Sequence, residues 1–401
     1  MKKYDLLTPE GTRDLLFDES VARRTVEDKL QRLFKSYGYS EVITPGLEFY
    51  DVFMLKSRYF SQESMYKLSD GKGRLMVIRP DSTMPIARLS ATRLKDEIFP
   101  LKLFYNQNIF RINPKDSGRD DEITQSGVEL IGGDPKKADL EILNLATEAL
   151  TSLETGDFRF EIGDSALFKI LISRVTSDEE ETEAIREYIE NKNIPELKTI
   201  LEKYGDSDDV KALYSLPKLF GGIEIYDRAL ELFKDKETLE VLRDIKQAYD
   251  YLCYLGFEDK VTLDLGLVNK ANYYTGLLFR GYIEGYGMPV LSGGRYDALM
   301  GDFGSTYTAT GFAVNVNAVA RVLLKNNTAD LIKPAEVLVY SDSDAAAQGF
   351  AYCRELVSKG ICAENAIQNT FEEALDYGQK KGIGKIAKVN SAGKVEEIKI
   401  L

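Results

Sequence analysis

The chain has 401 residues, of which 44% are hydrophobic and 29% charged, a composition typical of a soluble globular protein with two or three domains. The net charge of −13 argues against a large nucleic-acid interface, because phosphate contacts need clustered Lys and Arg side chains. The sequence contains no histidine, which excludes a histidine general base, a Ser-His-Asp triad and a histidine-ligated metal.

The first part of the chain predicts a helix followed by strands. Residues 18–37 repeat apolar side chains on one helical face, with Asp18 as the expected N-cap and Gly38 as the stop. The following stretch, SEVITPGLEF, predicts a strand that Pro45 interrupts. Two more strands are predicted, at 75–79 and 102–110. A second long helix is expected at 139–152, beginning at Asp139.

Helical patterns replace strand patterns between residues 165 and 258, where short charged helices alternate with brief breaks. We interpret this segment as a helical insertion into a domain made of 1–164 and 259–330. Strand patterns rich in Tyr, Val, Phe and Thr then return. They are predicted at 261–265, 274–284, 288–292 and 308–316.

Pro334 marks the start of a small α/β domain, expected at 333–401. The domain has about 70 residues, too few for a nucleotide-binding fold with a full phosphate loop. Its predicted elements are a strand at 335–341, helices at 344–359 and 371–381, and the closing strands KIAKV and VEEIKIL.

The cysteines and the apolar pattern bear on the cellular compartment. Cys253, Cys353 and Cys362 are widely spaced and odd in number, so they match neither a disulfide framework nor a zinc pattern. No apolar run reaches transmembrane length, and the N-terminal lysines lack the apolar segment of a signal peptide. We therefore expect a cytoplasmic protein with reduced thiols and with neither a metal nor a cofactor.

Three polar stretches could carry chemistry, and none of them is a Walker-type phosphate loop. They are RPDSTMPIAR with Arg79, Asp81 and Thr83, FRINPKDSGRDDEITQSGVE with Arg111, Gln125 and Glu129, and NYYTGLLF with Tyr273 and Tyr274. A fourth stretch, SGGRYDAL at 292–299, is a tight glycine turn and too loose a signal by itself.

Gln125 and Glu129 are four residues apart on a predicted strand, and the two-residue period directs them to one face. A carboxylate and an amide can hold an ammonium group, while Arg111 can hold a carboxylate through its fork of donors. These residues outline an amino-acid pocket. They also fit an ordinary internal ion pair with Arg111, and the residues alone leave both interpretations open.

Tyr273 and Tyr274 are neighbours in a predicted strand, where aromatic side chains usually only pack. Successive strand residues face opposite sides of a sheet. We therefore expect at most one of the two tyrosines to line any given cavity.

Taken in order, these stretches resemble class II aminoacyl-tRNA synthetases, and histidyl-tRNA synthetase most closely. EGTRDLL and YGYSEVITPGLE resemble the first class II motif, FRINPKDSGRDDEITQSGVELIGG the second, YYTGLLF the histidine-specific stretch, and GGRYDALMGDFG with TATGFAVNVNAV the approach to the third. The likeness spans roughly 5–328, and the tail resembles a shortened anticodon-binding domain. It implies an α+β fold with a class II-like antiparallel sheet flanked by helices, and a homodimer core built by the first motif.

The resemblance also reveals departures at the catalytic positions. Asn113 stands where the synthetases have the glutamate that reads adenine, and Asn269 where they have the histidine-specific catalytic arginine. Asn317 and Ala318 replace the glutamate and arginine of the third motif. The second-motif loop sets three basic residues (Arg111, Lys115 and Arg119) against four acidic ones (Asp116, Asp120, Asp121 and Glu122), so this stretch nets −1 and would repel a triphosphate.

The positions that bind the amino acid in the synthetases are better preserved in this sequence. By resemblance, the histidine-binding positions are Asp81, Thr83, Arg111, Gln125, Glu129, Tyr273 and Tyr274, with Asp81 in place of a glutamate that is one methylene longer. A chain that keeps the ligand positions and loses the catalytic ones is similar to the regulatory subunits of ATP phosphoribosyltransferase. That family implies a non-catalytic partner of the short catalytic subunit, with L-histidine as feedback effector and no tRNA or membrane partner.

Three alternatives remain open from the sequence. The first is a working histidyl-tRNA synthetase, which a histidine-dependent ATP–pyrophosphate exchange signal would favour. The second is a synthetase-like paralogue with another task, which failure to associate with a phosphoribosyltransferase would favour. The third is a scaffold with a vestigial pocket, which calorimetry without histidine binding would support.

Overall fold

The computed structural model describes residues 4–55, 61–114, 118–268, 273–328 and 331–400. The chain separates into two compact units, residues 1–330 and residues 331–401. Each unit has its own sheet and its own apolar clusters. The division of the first unit into a core domain and a helical insertion stays a prediction.

The first helix, α1 (Asp18–Ser36), buries one stripe of its surface, formed by Ala22, Val26, Leu30 and Phe34. Its N-cap is Phe17 rather than Asp18, so the predicted cap was wrong by one residue. The Phe17 carbonyl accepts hydrogen bonds from the backbone N–H groups of the first turn. Asp18 is therefore helical, and its carboxylate lies in the first turn, where the helix dipole favours negative charge.

The large unit is built from strands and helices in mixed order. Its strands are β1 (Ser40–Glu41), β2 (Leu47–Phe49), β3 (Lys67–Ser69), β4 (Leu75–Ile78), β5 (Leu101–Phe110), β6 (Glu122–Ile131), β7 (Phe158–Asp164), β8 (Phe220–Gly221), β9 (Val261–Asp264), β10 (Leu277–Ile283), β11 (Leu291–Arg295) and β12 (Ala309–Asn315). Its further helices are α2 (Thr83–Thr92), α3 (Pro135–Ser152), α4 (Ser165–Val175), α5 (Glu179–Glu190), α6 (Ile194–Leu201), α7 (Asp208–Ser215), α8 (Glu224–Leu232), α9 (Lys236–Tyr254), α10 (Asp297–Asp302) and α11 (Val316–Lys325).

The strands of the described residues form one large sheet and one small sheet in this unit. The large sheet has the order β1-β5-β6-β12-β11-β10-β7-β9-β8 and is antiparallel apart from the β1–β5 and β7–β9 pairs. The small antiparallel sheet has the order β2-β4-β3. The prediction of an α+β fold with an antiparallel sheet flanked by helices is confirmed.

The two faces of the large sheet differ in chemistry. One face packs against α1, α3, α9 and α11 through apolar side chains such as Val128, Phe312 and Phe279. Along β6 the alternate residues, Gly127 and Glu129, belong to the other face. That second face carries small and polar residues in its middle, and we call it the open face.

The second unit is a small α/β domain. Its elements are β13 (Val337–Ser341), α12 (Ala346–Ser358), β14 (Ala363–Asn365), α13 (Phe371–Lys381), β15 (Lys385–Val389) and β16 (Val395–Lys399). The sheet order is β14-β13-β15-β16, with β16 antiparallel to β15 and the other pairs parallel. Alternate residues of β13 face two apolar clusters, Val337 and Val339 one of them and Leu338 and Tyr340 the other.

Two further boundaries differ from the sequence prediction. The second long helix begins at Pro135 and not at Asp139, because the Asp134 side chain accepts from the Lys137 N–H and caps it. An Asp followed by Pro is a typical helix start, with proline at the first helical position. The strand predicted at 288–292 lies at Leu291–Arg295. Of the helices in the described ranges, none combines the length and the apolar character that a membrane crossing requires.

Candidate ligand-binding site

The floor of the candidate site is the open face where β5, β6, β12 and β11 lie side by side. Gly127 of β6 lies opposite Tyr105 of β5, and Gly311 of β12 lies opposite Glu129 of β6. A Cβ atom at Gly127 would overlap the Tyr105 hydroxyl, and one at Gly311 would overlap the Glu129 carboxylate. Glycine is therefore required at both positions for these polar side chains to lie flat on the sheet.

Glu129 lies at the centre of this floor and is 1% exposed. Its Oε1 accepts a hydrogen bond from the Thr83 hydroxyl at 2.8 Å, and its Oε2 accepts one from the Tyr296 hydroxyl at 2.6 Å. Burial raises the pKa of Glu129 to about 8, although both hydrogen bonds act in the opposite direction. A buried carboxyl group of this kind gains most from a ligand that brings positive charge or further N–H donors.

Asp81 and Arg111 form the second polar pair of the site. Asp81 Oδ1 accepts from the Met84 N–H at 2.9 Å, and its Oδ2 lies 3.6 Å from Arg111 Nη2. Burial raises the pKa of Asp81, and the Arg111 charge partly offsets that effect. The Arg111 Nε donates to the Pro80 carbonyl at 2.7 Å, and 37% of its side chain is exposed. The ion pair of Arg111 is thus formed with Asp81, whereas Glu129 is held by Thr83 and Tyr296.

Tyr273 and Tyr274 pack together in one wall of the site. Their ring centroids are 4.6 Å apart, and the Tyr273 ring lies edge-on to Tyr296 at 6.1 Å. The prediction that they face opposite sides was wrong, because both belong to one buried cluster. The physical reason is local: β10 begins at Leu277, so the two tyrosines precede the strand and do not follow its alternation.

Gln125 lies on the same face as Glu129, as the two-residue period predicts. Its cross-strand neighbours are Gln107 on β5 and Asn315 on β12. The side chain is half-buried, and among the described residues it makes no hydrogen bond. The structure therefore joins Thr83 to Glu129, Asp81 to Arg111 and Tyr273 to Tyr274, and it aligns Gln125 with this group without a direct bond.

At the other end of β6 two acidic residues of the second-motif loop, Asp120 and Asp121, are bound by neighbouring side chains. Asp121 Oδ1 accepts from the Asn113 backbone N–H at 2.9 Å and from its side-chain amide at 3.1 Å. Asp121 Oδ2 accepts from the Tyr66 hydroxyl at 2.5 Å. Asp120 pairs with Arg321 of α11 and lies 3.7 Å from Arg13. Lys115, Asp116 and Asn269, which the sequence comparison singled out, lie outside the described residues.

The third-motif positions serve the start of α11. Asn315 is the N-cap and accepts from the Ala318 N–H at 3.1 Å. Ala318 is 1% exposed and belongs to the apolar cluster on the helix-covered face. Asn317 Oδ1 accepts from the Thr124 N–H at 2.9 Å. These residues cap a helix and bind a neighbouring strand, and their side chains carry no charge.

Two tyrosines of the site were not identified from the sequence. Tyr296 donates to Glu129, and Tyr105 is 1% exposed beside Gly127. The prediction of a tight glycine turn at 292–299 was wrong, because this stretch forms the end of β11 and the start of α10, with Tyr296 between them. A tyrosine at the end of β11 gives a usable signal only once β11 is known to lie beside β12, the neighbour of β6.

The geometry defines a small buried polar cluster with an aromatic wall. Two buried carboxyl groups can hold an ammonium or a ring N–H, and the partly exposed guanidinium of Arg111 can hold a carboxylate. In the ranges described, no three potential ligands among His, Cys, Asp and Glu cluster closely enough to bind a metal. The arrangement suits a small zwitterion with a flat, hydrogen-bonding ring.

Comparison with known proteins gives a consistent assignment. Residues 11–319 match the family model described as histidyl-tRNA synthetase. Proteins described as ATP phosphoribosyltransferase regulatory subunit are 40% identical in Clostridium botulinum, over 96% of this chain and 92% of that protein. The counterpart from Clostridium acetobutylicum is 39% identical over 99% of this chain and 98% of its own, and that from Bacillus cereus is 35% identical over 99% and 95%.

Solved structures agree on the fold. A crystal structure described as an ATP phosphoribosyltransferase regulatory subunit/histidyl-tRNA synthetase from Bacillus halodurans has a TM-score of 0.84 and 27% identity, covering 97% of this chain and 99% of that one. The histidyl-tRNA synthetase of Nostoc sp. has a TM-score of 0.77 at 20% identity, covering 98% and 97%, which shows the shared fold. The chain therefore belongs to the ATP phosphoribosyltransferase regulatory subunit family, whose members are paralogues of histidyl-tRNA synthetase with the class II synthetase-like fold.

Proposed function

We propose that this chain is a non-catalytic subunit that activates a short-form ATP phosphoribosyltransferase catalytic subunit and senses L-histidine for feedback inhibition. The catalytic partner condenses ATP with phosphoribosyl pyrophosphate in the first step of histidine biosynthesis. In this proposal the chain itself forms no adenylate and charges no tRNA. Histidine binds at Asp81, Thr83, Arg111, Gln125, Glu129, Tyr273 and Tyr274.

The observation that carries the proposal is the difference between the two ends of β6. At the pocket end, Glu129 is buried with two hydroxyl donors. Arg111, whose backbone N–H donates to the Asp121 carbonyl at the loop end, is paired with Asp81. At the loop end, Asp121 is held by Asn113 and Tyr66. A triphosphate needs converging positive charge, whereas at this loop base Arg13 and Arg321 lie within ion-pair distance of Asp120 and the start of α11 is uncharged. A site that suits an amino acid but not a triphosphate fits an amino-acid sensor better than a ligase.

The histidine ligand is supported by the match between its groups and the pocket. The α-carboxylate suits the Arg111 guanidinium, and the ammonium suits Asp81 or the Gln125 carboxamide. The imidazole ring suits the tyrosine wall and can donate an N–H to Glu129. The α1 region supports a homodimer core, because Phe17 and Ile43 leave large apolar side chains 73% and 81% exposed.

The test is a reconstitution. The purified chain is mixed with the short-form catalytic subunit of the same organism, and phosphoribosyl-ATP formation is assayed with and without L-histidine. We expect activity in the mixture alone and its suppression by histidine. A mixture no more active than the catalytic subunit alone would contradict the proposal. Histidine-dependent ATP–pyrophosphate exchange by this chain would instead indicate a working synthetase.

A matched pair of variants makes the same assay specific for the pocket. Glu129→Gln removes the ionisable carboxyl group at the centre of the site. Glu161→Gln changes another carboxyl group, whose Oε2 accepts from a tyrosine, Tyr282, at 2.9 Å. Both variants should still activate the partner. Histidine inhibition should be lost in the Glu129 variant and kept in the Glu161 variant.

A further inference from the structure

Gln107 is a buried carboxamide at the edge of the candidate pocket. It is 4% exposed and lies directly opposite Gln125 in the β5–β6 register, on the open face. Its Oε1 accepts three hydrogen bonds, from the Thr44 N–H at 3.0 Å, the Thr44 hydroxyl at 3.0 Å and Arg79 Nη1 at 2.7 Å. Its Nε2 has no hydrogen-bond partner among the described residues.

These three donors fix which way the carboxamide points. Turning it over would bring its NH₂ group against an N–H, a hydroxyl and a guanidinium that all need an acceptor. The amide nitrogen therefore stays on the arm that faces away from Thr44 and Arg79. A buried donor without a partner is unfavourable, so its persistence calls for an explanation.

The neighbour that can accept from this nitrogen is Gln125. Directly opposed residues of an antiparallel pair have Cβ atoms about 4.5–5.5 Å apart, within reach of two glutamine side chains. Gln125 is half-buried and, in the described part of the chain, makes no side-chain hydrogen bond, so its carboxamide can turn either way. A donor fixed on the Gln107 side selects the orientation in which the Gln125 oxygen faces that donor.

We propose that Gln107 is a positioning residue that presents the Gln125 carbonyl oxygen to the ammonium group of the bound amino acid. The inference rests on the proposed function and adds a determinant of ligand choice. The Gln125 oxygen has two lone pairs, one for Gln107 Nε2 and one for the ligand ammonium. The pocket thereby prefers an α-amino acid over the same molecule without its amino group.

The test compares two ligands by calorimetry, L-histidine and 3-(imidazol-4-yl)propanoate, which lacks the α-amino group. The unaltered chain should prefer histidine. In Gln107→Met this preference should fall about five-fold, the effect of losing one neutral hydrogen bond, while affinity for the propanoate changes less than about two-fold. In a Gln125→Ala background, Gln107→Met should cause no further fall in preference, because Gln107 acts through Gln125.

A purely structural role for Gln107 would weaken both ligands by the same factor, and that result would overturn the inference. So would an unchanged preference, or an equal fall in the Gln125→Ala background. Gln107→Ala, which leaves room for a water to serve Thr44 and Arg79, gives the same measurement if the methionine variant fails to fold. A chain that binds no histidine at all would overturn the proposed function and this inference with it.

Discussion

Glu129 and Asp121 are buried carboxyl groups near opposite ends of β6, and they are held in different ways. Asp121 accepts three hydrogen bonds from Asn113 and Tyr66, and its neighbour Asp120 pairs with Arg321. Glu129 accepts from two hydroxyl groups, and burial still raises its pKa to about 8. The first arrangement closes a loop with permanent partners. The second leaves a carboxyl group whose ionised form is under-compensated, which is typical of functional sites.

Glu129→Gln gives the largest expected effect on the pocket end. Glu129 can ionise when an ammonium or N–H donor of the ligand binds, which Gln cannot, and hydrogen bonds to a charged group contribute about 1.5–3 kcal/mol, so histidine affinity should fall by roughly 10- to 100-fold. Calorimetry of the isolated chain measures this fall, and Glu161→Gln should leave affinity unchanged. An equal loss of histidine affinity in both variants would mean that the substitutions act through the stability of the fold. Glu129 would then make no specific contact with the ligand.

The same carboxyl group predicts how stability depends on pH. Its pKa is about 8 in the folded chain against an ordinary value of 4.5, so between these values the folded state binds more protons than the unfolded state. Stability from Glu129 is therefore full below about pH 4.5 and decreases as the pH rises toward 8. The free energy of unfolding of the unaltered chain, relative to Glu129→Gln, should fall by about 1.4 kcal/mol per pH unit.

Urea denaturation of both proteins at pH 6, 7, 8 and 9 measures this difference. It should decrease from pH 6 to 8 and level off above pH 8, where Glu129 is ionised in both states. A difference that is constant with pH would mean that burial does not disfavour the ionised form of Glu129, and the comparison between the two ends of β6 would fail.

Tyr296→Phe should have a smaller effect on the same pocket. It removes one donor to Glu129 and leaves the Thr83 hydroxyl in place, so histidine affinity should fall by about ten-fold. Tyr282→Phe is the matched control, because it removes the equivalent donor to Glu161. If both tyrosine variants bind histidine equally well, Tyr296 only packs and does not tune the carboxyl group.

Tyr296 also illustrates what the sequence could and could not predict. The alternation along β6 was sufficient to put Gln125 and Glu129 on one face, because strand period is a local property. The hydrogen bond from Tyr296 to Glu129 joins residues 167 positions apart, and it depends on the order of β6, β12 and β11 in the sheet. Sequence periodicity contains no information on that order.

Local signals were also misjudged where two rules competed. Asp134–Pro135 is a helix start that could have been identified from the sequence, and the apolar pattern beginning near Asp139 obscured it. Asp139 instead pairs with Arg295 at 2.8 Å. For Tyr273 and Tyr274 the strand rule was applied to residues that precede β10, so their shared cluster could not be anticipated. The well-predicted parts are those in which one period persists for several residues.

Arg321→Ala should give the smallest effect, at the loop end. The side chains of Arg321 and Asp120 are 39% and 24% exposed, and partly exposed ion pairs contribute about 0–1 kcal/mol. Arg13 remains 3.7 Å from Asp120 and can take over part of the interaction, so the free energy of unfolding should fall by about 0.5 kcal/mol or less. Histidine affinity should stay within about two-fold of the unaltered value, because Arg321 pairs with Asp120, which is not one of the proposed histidine-binding residues. A larger change in affinity would show that the loop base and the pocket are coupled, and the loop would then be part of the sensor.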